Sequence, residues 1–173
     1  MPETTEHTFE LDLKDGRRVR VRPIRPEDEM MLQAAFSRLS ERSVYFRFRD
    51  LLPSLPEEMA KRLVTVDMQE RAAIVAVEGV GEAERILGVA RYDAPAGTAV
   101  ADLIVIVVDE YQRLGLGSAL LSLIGRIARE HGIDSFQGEV AADNGPALRM
   151  LRSMNLIQGA SLEGDLYRIK VGL

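Results

Sequence analysis

The chain contains no cysteine and only two histidines among its 173 residues. Without cysteine it can form neither a disulfide nor a thiolate metal site, and no acyl-cysteine intermediate can take part in its chemistry. The histidines, His7 and His131, lie far apart in sequence, so a histidine-rich metal site is not expected. His131 stands near a predicted helix end, where an imidazole interacts with the helix dipole.

The chain also lacks any apolar run approaching the roughly 18 residues of a membrane span. Met1–His7 is polar and acidic and does not resemble a signal peptide. We therefore expect a cytoplasmic protein without a membrane segment.

Net positive charge is lacking as well, because the formal charge is −5, and this argues against nucleic acid as the main partner. Residues 14–49 depart from that balance with ten Arg and Lys against five Asp and Glu. This basic segment is either an ordinary solvated surface or a contact surface for a phosphorylated cofactor or an acidic protein partner.

What is present suits a globular protein, with 46% hydrophobic and 28% charged residues. We predict an N-terminal tail over 1–8 and a single domain over 9–173. Strand hairpins, one of them turning at Asp15-Gly16, alternate with β-α-β units along the chain. This order predicts an α/β (α+β) fold with a mixed sheet and helices on both faces.

The most informative segment is the run Asp109–Ser118, which contains Gly115 and Gly117. It follows an apolar strand, Leu103–Val108, and leads into an amphipathic helix, Leu116–His131. A strand, a glycine-bearing turn and a helix N-terminus present unpaired N–H groups to an anion, and glycine lets a ligand approach the backbone closely. The segment therefore predicts a site for a phosphorylated ligand.

Two familiar phosphate loops do not fit this segment. No Lys-Ser or Lys-Thr pair follows the glycines, which excludes a P-loop, and Leu120 stands where a dinucleotide fingerprint has its third glycine. The pattern Gln112-Arg113-x-Gly115-x-Gly117 instead resembles motif A of the GNAT N-acetyltransferase superfamily. Asn144, followed by Ala147, Leu148 and Leu151, resembles the family's motif B helix.

This resemblance implies the GNAT fold, a mostly antiparallel mixed sheet of about seven strands, and acetyl-CoA as the co-substrate. It places the pyrophosphate on the backbone of the loop and the pantetheine arm along a bulge in the preceding strand, near Val107. Asn144 is either a helix cap, a hydrogen-bonding partner of CoA, or both. The cofactor-binding residues that it implies are Val105, Ile106, Val107, Gln112, Arg113, Leu114, Gly115, Leu116, Gly117, Ser118 and Asn144.

The front half narrows the resemblance. Val21–Asp28 and Leu39–Phe48 are similar to the acetyltransferase domain of bacterial protein lysine acetyltransferases. This implies a protein lysine as the acceptor. Ser43–Phe48 either packs its aromatic residues inward or forms a wall of the acceptor pocket.

The chain offers two candidate bases. The family often places a glutamate ten positions before the motif A glutamine, where this chain has Asp102. Asp102 is either a base, acting directly or through a water, or a structural ion-pair partner of an arginine. Glu139 is the second candidate, against the alternative of an ordinary solvent-facing strand residue. The tyrosine that many GNAT enzymes use as a general acid is replaced by Leu151.

Three functions remain open at this point. The expected one is acetyl transfer by direct attack of a protein lysine in a ternary complex with acetyl-CoA. A small amine could replace the lysine, or the chain could be a catalytically weak acyl-CoA-binding sensor. The expected partners are acetyl-CoA, the amine acceptor and, in a possible homodimer, a second copy of the chain.

Overall fold

A computed structural model describes residues 7–173 of the chain. Residues 1–6, which make up most of the predicted tail over 1–8, lie outside the described residues. Among the helices of the described part, none is long and apolar enough to cross a membrane.

A single sheet of eight strands forms the centre of the structure. The strands are β1 (Phe9–Asp12), β2 (Arg18–Pro23), β3 (Arg71–Glu78), β4 (Arg85–Asp93), β5 (Val100–Val107), β6 (Ser135–Ala141), β7 (Ile157–Glu163) and β8 (Leu166–Gly172). Their order across the sheet is β1-β2-β3-β4-β5-β6-β8-β7. Eight strands agree with the predicted sheet of about seven, and both strands of the first and last hairpins belong to it.

Every neighbouring pair of strands is antiparallel except β5 and β6. This confirms the predicted mixed, mostly antiparallel sheet. The single parallel pair is short, since it joins only Val100–Asp102 to Ser135–Gln137. The chain crosses from β5 to β6 through a helix, as a parallel connection requires.

Five helices accompany the sheet: α1 (Glu29–Ser37), α2 (Glu41–Phe48), α3 (Glu57–Val64), α4 (Leu116–Glu130) and α5 (Gly145–Ser153). They cover both faces, as predicted. Gly88 of β4 faces α4, since a Cβ there would lie 3.1 Å from the Leu120 side chain. Arg91 of the same strand points to the opposite face and donates a 3.1 Å hydrogen bond to the Leu63 carbonyl of α3.

A buried ion-pair network ties α1 to the sheet. Arg22 of β2 forms a two-pronged pair with Asp28, with N–O distances of 2.8 and 2.9 Å, and also reaches Glu84 at 2.6 Å. Asp28 accepts a further hydrogen bond from the Arg25 backbone at 2.8 Å, which fixes the turn into α1. Charged groups so deeply buried are stable only when paired in this way.

Candidate active site

The loop between β5 and α4 presents a row of free backbone donors. No acceptor among residues 7–173 takes the N–H groups of Arg113 through Ser118, six in succession, and the first helical bond of α4 is donated by Ala119. Arg113 and Gly115 have positive φ angles of 64° and 86°. Glycine adopts this left-handed conformation without cost, whereas arginine does so only where its surroundings hold it. Free amides of this kind, beside the positive end of the helix dipole, are the donors that anions prefer in proteins.

The first hairpin of the chain supports this loop. The Lys14 backbone donates a 3.1 Å hydrogen bond to the Leu114 carbonyl, and a Cβ on Gly115 would lie 3.5 Å from Cε of Lys14. A second cation therefore stands beside the loop, in addition to Arg113. The sequence signal for Lys14 was only the basic excess of residues 14–49, and no motif pointed to it.

Tyr111 anchors the start of the loop. Its ring is buried, its hydroxyl donates to the Glu78 carboxylate, and the Arg17 guanidinium lies 4.1 Å from the ring centre. Burial, followed by the hydrogen bond to Glu78, raises the pKa of Tyr111. The tyrosine therefore stays neutral at physiological pH and acts as a structural anchor.

The strand that leads into the loop has one open edge. Pairing between β5 and β6 ends at Asp102, while β5 stays paired with β4 as far as Val107. The bulge predicted near Val107 is absent, because the register from Asp102 to Val107 against β4 is uninterrupted. The two halves of the sheet separate because β6 turns away from a regular β5.

Backbone direction alternates along this open edge. The Val108 amide donates to Leu87 of β4, so the amides of Val105 and Val107 point away from β4, into the opening. Ile106 is paired with Val89, which directs its amide to β4. Of the three predicted strand residues, Val105 and Val107 thus have backbone groups available to an extended ligand, whereas Ile106 offers a side chain.

Gln112 is engaged within the protein. Its amide donates to the Asp109 carbonyl, and its side chain donates to the Val107 carbonyl at 2.9 Å and to the Ser43 hydroxyl at 3.2 Å. The motif glutamine therefore connects the open edge of β5, the loop and α2. These hydrogen bonds indicate a structural role, in which Gln112 holds β5, the loop and α2 in their relative positions.

Helix α2 is held at the loop and at the far half of the sheet. Ser40, which caps α2, donates its backbone N–H to Asp109 at 2.8 Å. At the other end, Arg49 pairs with Asp165 in the β7–β8 turn at 2.6 Å. These contacts place α2 across the opening between β5 and β6.

For Ser43–Phe48 the predicted inward packing is confirmed in part, and the wall of the acceptor pocket stays a prediction. Val44 is buried, and Phe48 packs edge-on against Phe36 with ring centres 5.6 Å apart, so the helix does turn residues inward. Phe48 and Arg47 also line an apolar cavity that reaches the β5 side chains. Tyr45 is 38% exposed and does not line this cavity.

The two candidate bases lie in one groove. Asp102 and Glu139 both line a groove of about 470 Å³ that is formed by β5, β6, β7 and β8. The predicted alternative for Asp102, an ion pair with an arginine, is wrong: its carboxylate accepts a 2.9 Å hydrogen bond from Gln137. Asp102 is also exposed.

Glu139 is exposed too, with a loose contact of 3.7 Å to Arg168. It matches the description of a solvent-facing strand residue, but the solvent it faces is that of the groove. A carboxylate with one weak partner is free to accept a proton from a group brought beside it.

The motif B residues are placed by α5. Asn144 caps the helix, with its side-chain oxygen accepting from the Ala147 amide at 3.3 Å, so the capping role is confirmed. Leu151 is buried, and its side chain has no acidic proton to donate as a general acid. A Cβ on Gly117 would lie 3.2 Å from the Met150 sulfur, which shows how closely α5 approaches the loop.

Together these elements suit transfer of a group carried on a long phosphorylated thioester. The loop amides can donate to phosphate oxygens, the open edge of β5 can pair with an extended arm, and two exposed carboxylates line the neighbouring groove. The Val107 amide is a donor available to an oxyanion.

Comparison with known proteins agrees with this description. The family model described as "Acetyltransferase (GNAT) family" matches residues 35–155. Among curated proteins, Acetyltransferase PA5475 of Pseudomonas aeruginosa is 30% identical over 132 residues, which cover 76% of this chain and 71% of that protein.

Solved structures give the same result for the fold. The GNAT domain of S. lividans PAT superposes with a TM-score of 0.89 at 29% identity, covering 98% of each chain. The PaiA N-acetyltransferase of Thermoplasma acidophilum, solved in complex with coenzyme A, superposes with a TM-score of 0.69 at 13% identity, covering 90% of this chain and 99% of that one. The eight-stranded sheet with its separated halves is therefore the GNAT fold.

Proposed function

Because the chain belongs to the GNAT acetyltransferase family, we propose that it transfers an acetyl group from acetyl-CoA to a lysine of a protein. The observation that carries this proposal is the meeting of the open β5 edge with six free loop amides. The amides of Arg113–Ser118 hold the pyrophosphate of CoA. The backbone of Val105 and Val107 pairs with the pantetheine arm.

The proposed reaction is direct attack in a ternary complex. The amine nitrogen forms a bond to the thioester carbonyl carbon, and the Val107 N–H stabilises the oxyanion. The C–S bond then breaks, which yields the amide and the CoA thiolate. A thiol of pKa about 8.5 is a good leaving group, so the step tolerates Leu151 in place of an acid.

The amine must lose a proton, since a free lysine has a pKa of about 10.4. We assign this proton to Asp102 or Glu139, directly or through a water. Both carboxylates line the groove beside the end of the β5–β6 pairing. Glu139 is less engaged, because Asp102 accepts from Gln137 at 2.9 Å whereas the closest cation to Glu139 is 3.7 Å away.

A protein lysine is favoured as the acceptor by two observations. The GNAT domain of S. lividans PAT, a protein acetyltransferase, covers almost the whole chain. The groove that contains both carboxylates is also open along β7, whose residues after Ile157 are exposed, and this suits a side chain presented by a large partner. A small amine is the alternative acceptor.

A catalytically weak acyl-CoA sensor is the second candidate function. It is favoured by Leu151, which leaves no general acid on α5, and by the engagement of Asp102 with Gln137. We propose a cytoplasmic location for either function.

The experiment that tests the proposal measures thiol release from acetyl-CoA with a panel of proteins and small amines, followed by mass spectrometry of the acceptor. Thiol release with acetylated lysine is the expected result. Turnover of a small amine alone would overturn the lysine assignment. Tight acetyl-CoA binding without thiol release for any acceptor would establish the sensor instead.

The base is tested with Asp102→Asn and Glu139→Gln. Loss of the base should lower kcat/KM by about 10²–10⁴-fold and remove the acidic limb of the pH–rate profile. Glu163→Gln is the matched control, because Glu163 is an exposed partner of the same Arg168, at 3.1 Å, but does not line the groove. Unchanged pH–rate profiles in both groove variants would refute the assignment.

A further inference from the structure

An apolar cavity lies on the α1 and α2 side of β5. It measures about 60 Å³, and its floor includes Ile104 and Ile106. These side chains alternate with Val105 and Val107, whose backbone faces the proposed pantetheine arm. The cavity is therefore next to the position of the reacting thioester.

Two arginines line this otherwise apolar cavity. Arg91 is buried and donates to the Leu63 carbonyl at 3.1 Å and to Asp93 at 3.3 Å. Arg47 has no hydrogen bond or ion pair with any residue of 7–173, and its only specific contact is with the Phe48 ring, 4.5 Å from the ring centre. One guanidinium is thus paired and the other is not.

The Asp93 carboxylate, which is paired with Arg91 at 3.3 Å, also acts on the charge of Arg47, but without a direct ion pair. Burial, and then repulsion by Arg91, lower the pKa of Arg47 to about 10. Arginine still carries its charge at neutral pH, so this half-buried cation is partly desolvated without a direct ion pair to compensate it. An apolar side chain of similar length would fill this place with a smaller desolvation penalty.

We propose that this cavity binds a carboxylate at the end of a short apolar chain, held by Arg47 with Arg91. A planar carboxylate accepts two N–H bonds from a guanidinium, and the apolar walls cover the chain that carries it. The inference rests on the proposed function, since that function puts the thioester against β5. The carboxylate belongs either to the acyl group of the donor or to the acceptor.

The donor source is tested by calorimetric binding of succinyl-CoA and butyryl-CoA to the full chain. Both carry a four-carbon acyl group, but only the first ends in a carboxylate. If the acyl chain supplies the carboxylate, succinyl-CoA should bind about tenfold tighter or more. Arg47→Met should remove this preference, and Arg47→Lys should restore part of it.

The acceptor source is tested on protein saturated with CoA, using butyrate and butanamide as probes. If the acceptor supplies the carboxylate, butyrate should bind at least tenfold tighter than butanamide, and Arg47→Met should abolish the difference. Arg62→Met is the matched control, since Arg62 is an exposed arginine on α3 that does not line the cavity. It should leave both preferences unchanged.

A preference in either arm that disappears in Arg47→Met supports the proposal and identifies the source. Absence of a preference in both arms overturns it, as does a preference that survives Arg47→Met. Thermal unfolding of Arg47→Met separates misfolding from loss of the site, because an arginine without an acceptor contributes little to stability. If no CoA thioester binds at all, the proposed function itself fails, and this result differs from binding without preference.

Discussion

Replacement of Arg22 by methionine should strongly destabilise the protein. The Arg22 side chain is 6% exposed and its partner Asp28 is 3% exposed, so the substitution leaves a buried carboxylate without its cation. Glu84, at 17% exposure, loses a partner in the same step. Methionine fills most of the arginine volume, so the loss of stability measures the loss of the positive charge and not a loss of packing.

The magnitude follows from this geometry. Removing one partner of a buried ion pair costs about 3–5 kcal/mol in the free energy of unfolding. For a chain of this size, 1 kcal/mol corresponds to about 2–4 °C, so Tm should fall by about 6–20 °C. The matched control is Arg18→Met. Its ion pair with Asp12 at 2.9 Å has side chains 64% and 69% exposed, so the loss should stay below about 1 kcal/mol.

Urea unfolding of both variants measures these values. A loss for Arg22→Met no larger than that of Arg18→Met would refute the reasoning. The double variant Arg22→Met with Asp28→Asn adds a second check, because asparagine carries no charge and still accepts the Arg25 backbone hydrogen bond. It should be more stable than Arg22→Met alone; if it is not, the loss comes from packing and not from the unpaired charge.

Three further predictions concern the loop and the ion pairs. Gly115→Ala should cost about 1–2 kcal/mol of stability and weaken acetyl-CoA binding about tenfold, because the φ of 86° at Gly115 holds the free amides of the loop in place. Gly97→Ala is the control, since Gly97 has a φ of 77° and open space around it. This variant should lose a similar amount of stability, while the acetyl-CoA affinity measured by calorimetry stays unchanged. Lys14→Ala should weaken acetyl-CoA binding a few-fold and reduce the salt dependence of that binding. Lys61→Ala is the control and should change neither quantity. An equal salt dependence of binding in the wild type and in Lys14→Ala would argue against a contact between Lys14 and phosphate. Burial alone would raise the pKa of Glu84, but the hydrogen bonds and charges of Arg22 and Arg20 together outweigh it, and the pKa is lowered from 4.5. The stability that Glu84 contributes is therefore present above pH 4.5 and lost as the pH falls further. Urea unfolding should show that the free energy of unfolding of Glu84→Gln declines less steeply than that of the wild type as the pH is lowered through this range. The same decline in both proteins would contradict the assignment.

The sequence predicted the parts of the fold that have local signals. Periodicity located the helix after Gly115, which was expected to end at His131 and ends at Glu130. Asn144 caps α5, which is one of the two roles predicted for it. Each of these features depends on residues within one or two turns of chain, so one segment is enough to infer it.

Features that depend on distant segments were missed or wrong. The opening beside β5 was attributed to a bulge, but it arises where β6 leaves the pairing at Asp102, and no local pattern in β5 records this. Lys14 reaches the loop from a hairpin about one hundred residues earlier in sequence. The meeting of Arg47 with Arg91 likewise depends on how α2 lies over β4, which neither segment specifies alone.

The central claim, that acetyl-CoA lies along β5 and the loop, is tested most directly by residue-resolved amide hydrogen exchange with and without acetyl-CoA. The predicted result is slower exchange at Arg113–Ser118, Val105 and Val107, whose amides have no acceptor within the described part of the chain. Ile106 serves as an internal reference, because its amide is already directed to β4. Acetyl-CoA binding with protection elsewhere and none at these amides would contradict the account.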